Sequence, residues 1–415
     1  MNMHKNLMKA AVIGLAALAT LPLLAFAATA TAVKTSAKMT TPVALAKPIA
    51  KAKFYYGAWL PFWTTQAGEQ DIAIHLDSLN EVSPFSYELG SSGAIIDDLK
   101  INSGIWDGWF SAVHDNGLKI IPTIAWFDTG SIYNLLSGAK TRQSEEDSIT
   151  SLVKTKNFDG IDIDFEAMSA ATKPYYSLFI KGLATRLHPI GKKLTCTVVP
   201  RSPAGAIYDA IPSNLAYAED YAVLNKYCDE VRLMAYDQGT VDLRLNATKG
   251  NGNLYAPTAD PDWVTKVVQL ALQSISARKI MLGIPTYGYE YEADWSNGVT
   301  TYQRVRAFDY FDAMDRADSV GIAPVRNNAG ELSLIFSSST YIHAPPGLTS
   351  VVESAQPPQL MNINPNATTT FFVSFPDAQS EMDKIALAKK FHLRGVIFFK
   401  ADGQMDPAIW DQMTQ

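Results

Sequence analysis

The chain has 415 residues, 47% hydrophobic and 18% charged, with 35 Lys+Arg against 41 Asp+Glu and a formal net charge of -6. That balance excludes an intrinsically disordered chain, and the lack of a basic block excludes nucleic acid as the main partner. The two cysteines, Cys196 and Cys228, are too few for a disulfide framework and leave open either one bridge or two free thiols. Lys5 and Lys9 precede an uncharged run, Ala10 to Ala27, that ends in the small-x-small pattern Ala25-Phe26-Ala27. Residues 1–27 therefore read as a secretory signal peptide, with an uncleaved membrane anchor as the alternative. Its removal takes two lysines and no acid, leaving 33 basic against 41 acidic residues, a net charge of -8. Residues 28–52, an Ala/Thr/Lys/Pro stretch with Lys34, Lys38, Lys47 and Lys51 and no acid, read as a flexible spacer. The mature protein is expected to be secreted or periplasmic, off the membrane once the signal is cut, and monomeric.

From Lys53 onward, eight short apolar runs alternate with helical text. They are Phe54-Trp59, Glu81-Tyr87, Lys119-Trp126, Phe158-Glu166, Leu194-Pro200, Glu230-Tyr236, Ile280-Pro285 and Gly395-Phe399. Helical periodicity falls at Tyr175-Leu187, Val264-Ala277 and Ala378-Phe391. Strands that alternate with helices pair in parallel, and strands apolar on both faces lie under helices. The expected fold class is α/β: a (β/α)8 TIM barrel over residues 53–415. No Gly-rich phosphate loop follows any run, which counts against a dinucleotide-binding sheet. Strand starts are mostly ~30 to 50 residues apart, whereas about 115 separate Ile280 from Gly395, far more than one crossover needs. A small α+β insertion between strands seven and eight, about 290–375, explains the gap. It should contain strands near Ser333-Phe336 and Thr369-Ser374, a helix near Phe308-Val320, and a mobile loop at Pro345-Asn366.

Strand four reads Phe158-Asp159-Gly160-Ile161-Asp162-Ile163-Asp164-Phe165-Glu166. Side chains alternate along a strand, so Asp162, Asp164 and Glu166 share one face and Ile161, Ile163 and Phe165 the other. In a barrel the apolar set meets the helices and the acids point inward. Stacked about 7 Å apart in a low-dielectric interior, such acids repel, and some should hold a proton near neutral pH. Glu166 lies last, at the C-terminal mouth where barrel active sites form, and a buried glutamate there is a ready general acid. Two other readings are an ion-pair ladder with Arg or Lys partners from other strands, and an oxygen-rich metal site.

The run Asp159-Gly160-Ile161-Asp162-Ile163-Asp164-Phe165-Glu166 resembles the DGxDxDxE signature of glycoside hydrolase family 18, the chitinase family. Leu233-Met234-Ala235-Tyr236-Asp237 is similar to its sixth-strand MxYD motif, and Leu282-Gly283-Ile284-Pro285-Thr286-Tyr287-Gly288 to its seventh-strand LGIPxYG. The text Asn80-Glu81-Val82-Ser83-Pro84-Phe85 and the insertion resemble the bacterial branch that includes spore-cortex and peptidoglycan N-acetylglucosaminidases. The resemblance implies retaining hydrolysis in which the substrate's own 2-acetamido carbonyl attacks the anomeric carbon. Glu166 would then be the acid/base, Asp164 would orient the acetamido N–H, Asp162 would share a proton with Asp164, and Tyr236 would donate to the acetamido carbonyl. Asp237 and Met234 would line the same subsite, and Asp159, on the other parity, would serve the strand entrance. The implied partner is an N-acetylglucosamine-containing oligo- or polysaccharide, with no metal or other cofactor.

Sugar rings stack on aromatic faces, and Trp59, Trp126, Tyr87 and Tyr287 fall at or near C-terminal strand ends, where core packing is the competing reading. On strand eight, where the family usually carries Trp, the chain has Phe399, a smaller floor for the cleavage subsite. A carbohydrate-binding protein that kept the fold and lost turnover is the alternative function; the intact Glu166 and Tyr236 count against it.

Overall fold

The computed structural model describes residues 54–213, 215–296, 299–337 and 369–413, so the expected signal peptide, the spacer and the Pro345-Asn366 segment lie outside the described residues. Eight parallel strands close into a barrel: β1 (Tyr55–Pro61), β2 (Glu81–Leu89), β3 (Lys119–Ile120, resumed at Thr123–Trp126), β4 (Gly160–Phe165), β5 (Lys193–Val198), β6 (Glu230–Leu233), β7 (Ile280–Pro285) and a last strand at Gly395–Phe399. β1 pairs with both β2 and the last strand, which closes the ring of eight, and a short strand at Ile95–Asp97 adds antiparallel to the end of β2. Pro122, which has no N–H to give the ladder, interrupts β3.

Register fixes what faces inward. Asp162 is opposite Thr123 on one side and Thr195 on the other, and Asp164 is opposite Ala125. The odd-numbered set of β4, Ile161, Ile163 and Phe165, is buried against the helices, with Phe165 stacked on Phe179 at 5.5 Å. Phe179 belongs to α2 (Lys173–Leu187), which packs on α1 (Ala139–Thr155). α3 (Pro261–Leu272) opens with Pro at its first position and the Asp260 carboxylate accepting from the Asp262 N–H at 2.7 Å.

Between β7 and the last barrel strand the chain builds a separate antiparallel sheet. Its elements are β8 (Tyr287–Ser296), β9 (Val299–Asp309), α4 (Tyr310–Val320), β10 (Val325–Arg326), β11 (Leu332–Ser337) and β12 (Thr370–Phe375), with strand order β9-β8-β12-β11-β10. α5 (Ala378–Lys390) then leads back to β13 (Gly395–Phe399), the last barrel strand. One face of this sheet closes a small core with α4, formed by Phe308, Ala313, Ala317, Leu334, Phe336, Val373 and Phe375. The other face sends Tyr289, Tyr291 and Phe372 into the barrel's own core. The long hairpin β8–β9 is the part of the insertion that sequence patterning does not reveal.

Two anchors tie this module down. The Glu331 carboxylate, fully buried, accepts from the backbone N–H groups of Thr258 and Ala259 at 2.9 and 2.8 Å and from the Ser374 hydroxyl at 2.8 Å. Lys400, just past β13, pairs with Asp309 at 2.7 Å and with Asp402. Cys196 and Cys228 form a disulfide with both side chains fully buried, which decides between the two readings left open by the sequence.

Candidate active site

The acids of β4 stand in the order that strand alternation dictates. Asp162 is deepest and fully buried. It accepts from the hydroxyls of Thr123, Thr195 and Thr197, each at 2.9 Å, and Arg232 Nη1 lies 2.9 Å from its Oδ2 as an ion pair. An ion-pair partner from another strand is therefore present, at the deepest of the three acids. Asp164, also buried, is one step nearer the mouth. Glu166 follows β4 directly, its N–H held by the Trp126 carbonyl at 2.8 Å. Burial, aided by the negative charge of Asp237 and then of Glu219, pushes the Glu166 carboxyl up to about 8. It therefore carries a proton at neutral pH, as a general acid requires.

Tyr236 and Asp237 come from the loop after β6. Asp237 has a left-handed backbone, φ 63°, and the next two residues pin the loop: Gln238 N–H donates to Thr258 O at 3.0 Å and Gly239 N–H to Pro257 O at 2.9 Å. The Asp237 Oδ1 accepts from the hydroxyls of Tyr287 at 2.6 Å and Tyr289 at 2.5 Å. Tyr236 is almost wholly buried, and burial together with the charges of Asp237, Asp164 and Glu166 keeps its hydroxyl protonated, available as a donor. Gly283 makes room for it: a Cβ there would stand 2.8 Å from the Tyr236 ring. Met234 has the parity of Arg232 and is buried at the same wall.

Phe399 sits at the centre of an aromatic cluster, face to face with Tyr236 at 5.7 Å, edge-on to Trp59 at 5.7 Å and to Tyr287 at 5.9 Å, with Phe85 at 6.4 Å.

Three aromatic candidates lie elsewhere than the groove. Trp126 is opposite Phe165 in the register and packs edge-on against it at 5.5 Å, so it faces the helices. Tyr87 would share the inward face of Ser83 and Phe85, but a register shift between Phe85 and Tyr87 turns its ring outward onto Phe158, at 6.3 Å. Trp59 points inward but too deep: its indole N–H donates to Thr123 at 3.1 Å, in the layer of Asp162, and it props Phe399 from the side. Asp159, by contrast, stands at the strand entrance, accepting from Ile120 N–H at 2.9 Å and contacting His114 at 2.9 Å.

The site residues that sequence reasoning missed are Thr123, Thr195, Thr197, Arg232, Glu81 and Tyr289, together with half-buried Trp63, edge-on to Phe85 at 6.0 Å. Arg232 did leave a signal: a cation between Val231 and Leu233 in the interior of a strand that is otherwise apolar after its first residue, Glu230.

The profile of the Glycosyl hydrolases family 18 matches residues 99–404. Uncharacterized glycosylase YvbX of Bacillus subtilis (strain 168) is 28% identical over 166 residues, 40% of this chain and 44% of its own length. Chitinase A1 of Niallia circulans is 25% identical over 317 residues, 71% of this chain and 42% of its own. The matches thus span less than half the length of either relative. The crystal structure of the Bacillus cereus spore cortex-lytic enzyme SleL shares the fold with a TM-score of 0.64 at 17% identity, over 88% of this chain and 74% of that one. With its profile spanning most of the chain and its acids aligned along β4, this protein belongs to the Glycosyl hydrolases family 18.

Proposed function

We propose that the chain is an exported glycoside hydrolase that cleaves β-linked N-acetylglucosamine glycans, chitin-type or peptidoglycan-type, with retention through the substrate's 2-acetamido group. The observation that carries this reading is Glu166 at the end of β4, its carboxyl pushed up to about 8 by burial and by Asp237, next to a buried Tyr236 stacked on Phe399.

In this reaction Glu166 gives its proton to the leaving glycosidic oxygen. The acetamido carbonyl oxygen bonds to the anomeric carbon as that bond breaks, forming an oxazolinium ring. Asp164 accepts from the acetamido N–H as positive charge grows, Tyr236 donates to the carbonyl oxygen, and Phe399 supports the apolar face of the sugar. Glu166, now ionised, takes a proton from the water that opens the ring, so the anomeric configuration is retained. The buried Cys196–Cys228 disulfide suits an oxidising compartment and supports export.

The test is product analysis by mass spectrometry with chitooligosaccharides and peptide-free peptidoglycan glycan. Wild type should release N-acetylglucosamine-terminated products, and Glu166→Gln should lose at least about 100-fold in rate, the usual weight of general acid catalysis. Equal rates for the two proteins would refute the assignment. Saccharide binding by calorimetry without product would favour a binding protein on this fold.

A further inference from the structure

The insertion carries four arginines, and three of them are matched by acids: Arg306 and Arg316 by Glu290, at 3.0 and 3.5 Å, and Arg326 by Asp377 at 2.6 Å. The fourth, half-buried Arg304 on β9, has no carboxylate at ion-pair distance among the described residues, and its Nε is buried without a hydrogen-bond partner. A break in register turns it toward the barrel. β8 and β9 pair Glu290 with Arg306 and then Tyr291 with Arg304, leaving Val305 over, so Arg304 shares the face of Tyr291 while Arg306 shares that of Glu290.

On that face the guanidinium carbon lies 3.9 Å from the centre of the Tyr289 ring, a cation–π contact that sets the plane of the fork. Tyr289 in turn donates to Asp237 at 2.5 Å, and Asp237 is one of the charges that raise Glu166. The loop after β6 borders the other side: a Cβ on Gly239 would stand 3.1 Å from the Tyr291 hydroxyl and 3.9 Å from Arg304 Nη2. Arg304 is thus joined to the reacting acid through Tyr289 and Asp237, at the barrel mouth. The charge of Asp237 reaches it, but that carboxylate already accepts from Tyr287 and Tyr289 and forms no ion pair with it. Holding a guanidinium half-buried without a counter-ion costs free energy that one ring offsets only in part. A planar fork aimed by an aromatic face has the shape that takes a carboxylate.

We propose that Arg304 is a specificity residue through which the insertion reads a carboxylate on the glycan, the lactyl carboxylate of N-acetylmuramic acid, and so directs the protein to peptidoglycan-type strands over chitin-type ones. In a strand that alternates the two sugars, every N-acetylglucosamine at the reacting centre has a muramyl neighbour. The guanidinium donates two N–H groups to the neighbour's carboxylate. A chitin chain presents a neutral hydroxyl at the same carbon and leaves the charge unmatched. This deepens the hydrolase reading and rests on it, choosing between its two glycan classes.

The test compares three substrates of equal length: peptide-free peptidoglycan glycan, the same glycan with its lactyl carboxylates converted to amides, and chitooligosaccharide. Wild type should favour the carboxylate form over both others by about tenfold or more in kcat/KM, the usual weight of hydrogen bonding to a charged group. Arg304→Gln should bring the carboxylate-to-amide ratio close to one, whatever it does to all three rates through Tyr289, and Arg304→Lys should keep part of it. Calorimetry in the Glu166→Gln background should show the same ratio in Kd without turnover. A ratio near one in wild type, or a ratio unchanged in Arg304→Gln, would make Arg304 a support for Tyr289 alone and overturn the proposal. Should Arg304→Gln fail to fold, added salt takes its place: the wild-type ratio should shrink as salt rises, and a ratio indifferent to salt would also overturn it. A wild type that cleaves none of the three would count against the hydrolase reading, while the binding ratio still decides the role of Arg304.

Discussion

Tyr236 and Phe399 lie face to face, 5.7 Å apart with 18° between their planes, although they are contributed by the loop after β6 and by the last barrel strand. The contact couples the hydroxyl expected to meet the acetamido carbonyl to the ring expected to lie under the sugar. Trp59 and Tyr287 hold Phe399 edge-on from two other sides, so its plane is fixed before substrate arrives. Phe399→Leu removes the stacking face and the support of Tyr236. An aromatic pair contributes about 0.5–1.5 kcal/mol beyond its buried area, which is roughly a two- to tenfold effect. KM for chitooligosaccharides should rise by that factor, with kcat falling as well. A rise in KM alone would mean that Phe399 touches sugar without holding Tyr236.

The fold was legible because hydrophobic runs mark buried strands however the details fall, and the strip Asp162, Asp164, Glu166 was legible because alternation along a strand is strict. What escaped depended on local breaks and on partners distant in sequence. The register shift after Phe85 reverses the side on which Tyr87 emerges, and nothing in the alternation of the flanking residues announces it. Trp126 fell at a strand end, yet parity put it with Phe165 on the helix side. The threonine cradle of Asp162 needs the registers of β3 and β5, and its cation comes from β6, which no single segment displays.

Asp237 adds to the burial that raises the Glu166 carboxyl. Burial is the first cause of the raised Glu166 value, about 8, and the charge of Asp237 is the second. In the proposed reaction Glu166 gives a proton to the leaving group, so kcat/KM should fall as pH rises through that value. Asp237→Asn removes the neighbouring charge and keeps a side-chain oxygen to accept from Tyr287 and Tyr289. The alkaline limb should therefore move to lower pH, whatever the change in maximal rate. An unmoved limb would mean that burial alone sets the Glu166 proton.

The same raised value has a stability consequence. From pH 4.5 to about 8 the folded chain holds a proton on Glu166 that the unfolded chain has released, so this group makes folding less favourable as pH rises through that window. Below the window both states are protonated and it contributes nothing. Glu166→Gln should accordingly raise Tm at pH 7, by an amount worth about 1–3 kcal/mol, and leave it unchanged near pH 4. Calorimetry across that range checks both ends, and a gain of equal size at pH 4 would point to packing instead of charge.

The Cys196–Cys228 bridge joins β5 to the segment entering β6, two neighbouring strands that supply Thr195, Thr197 and Arg232 to the acid strip. Closing a loop of 32 residues restricts the unfolded chain, and such a bridge stabilises by about 2–4 kcal/mol. Both sulfurs are in the core, so a soluble reductant reaches them only when the barrel opens. Cys196→Ala/Cys228→Ala should lower the unfolding free energy measured with denaturant by that amount, with the slope on denaturant rising because the unfolded chain is no longer cross-linked. Native wild-type protein should resist dithiothreitol until partly unfolded, as followed by mass spectrometry of alkylated thiols. Rapid alkylation under native conditions would mean that the β5–β6 wall opens readily, and the threonine cradle around Asp162 would then be mobile as well.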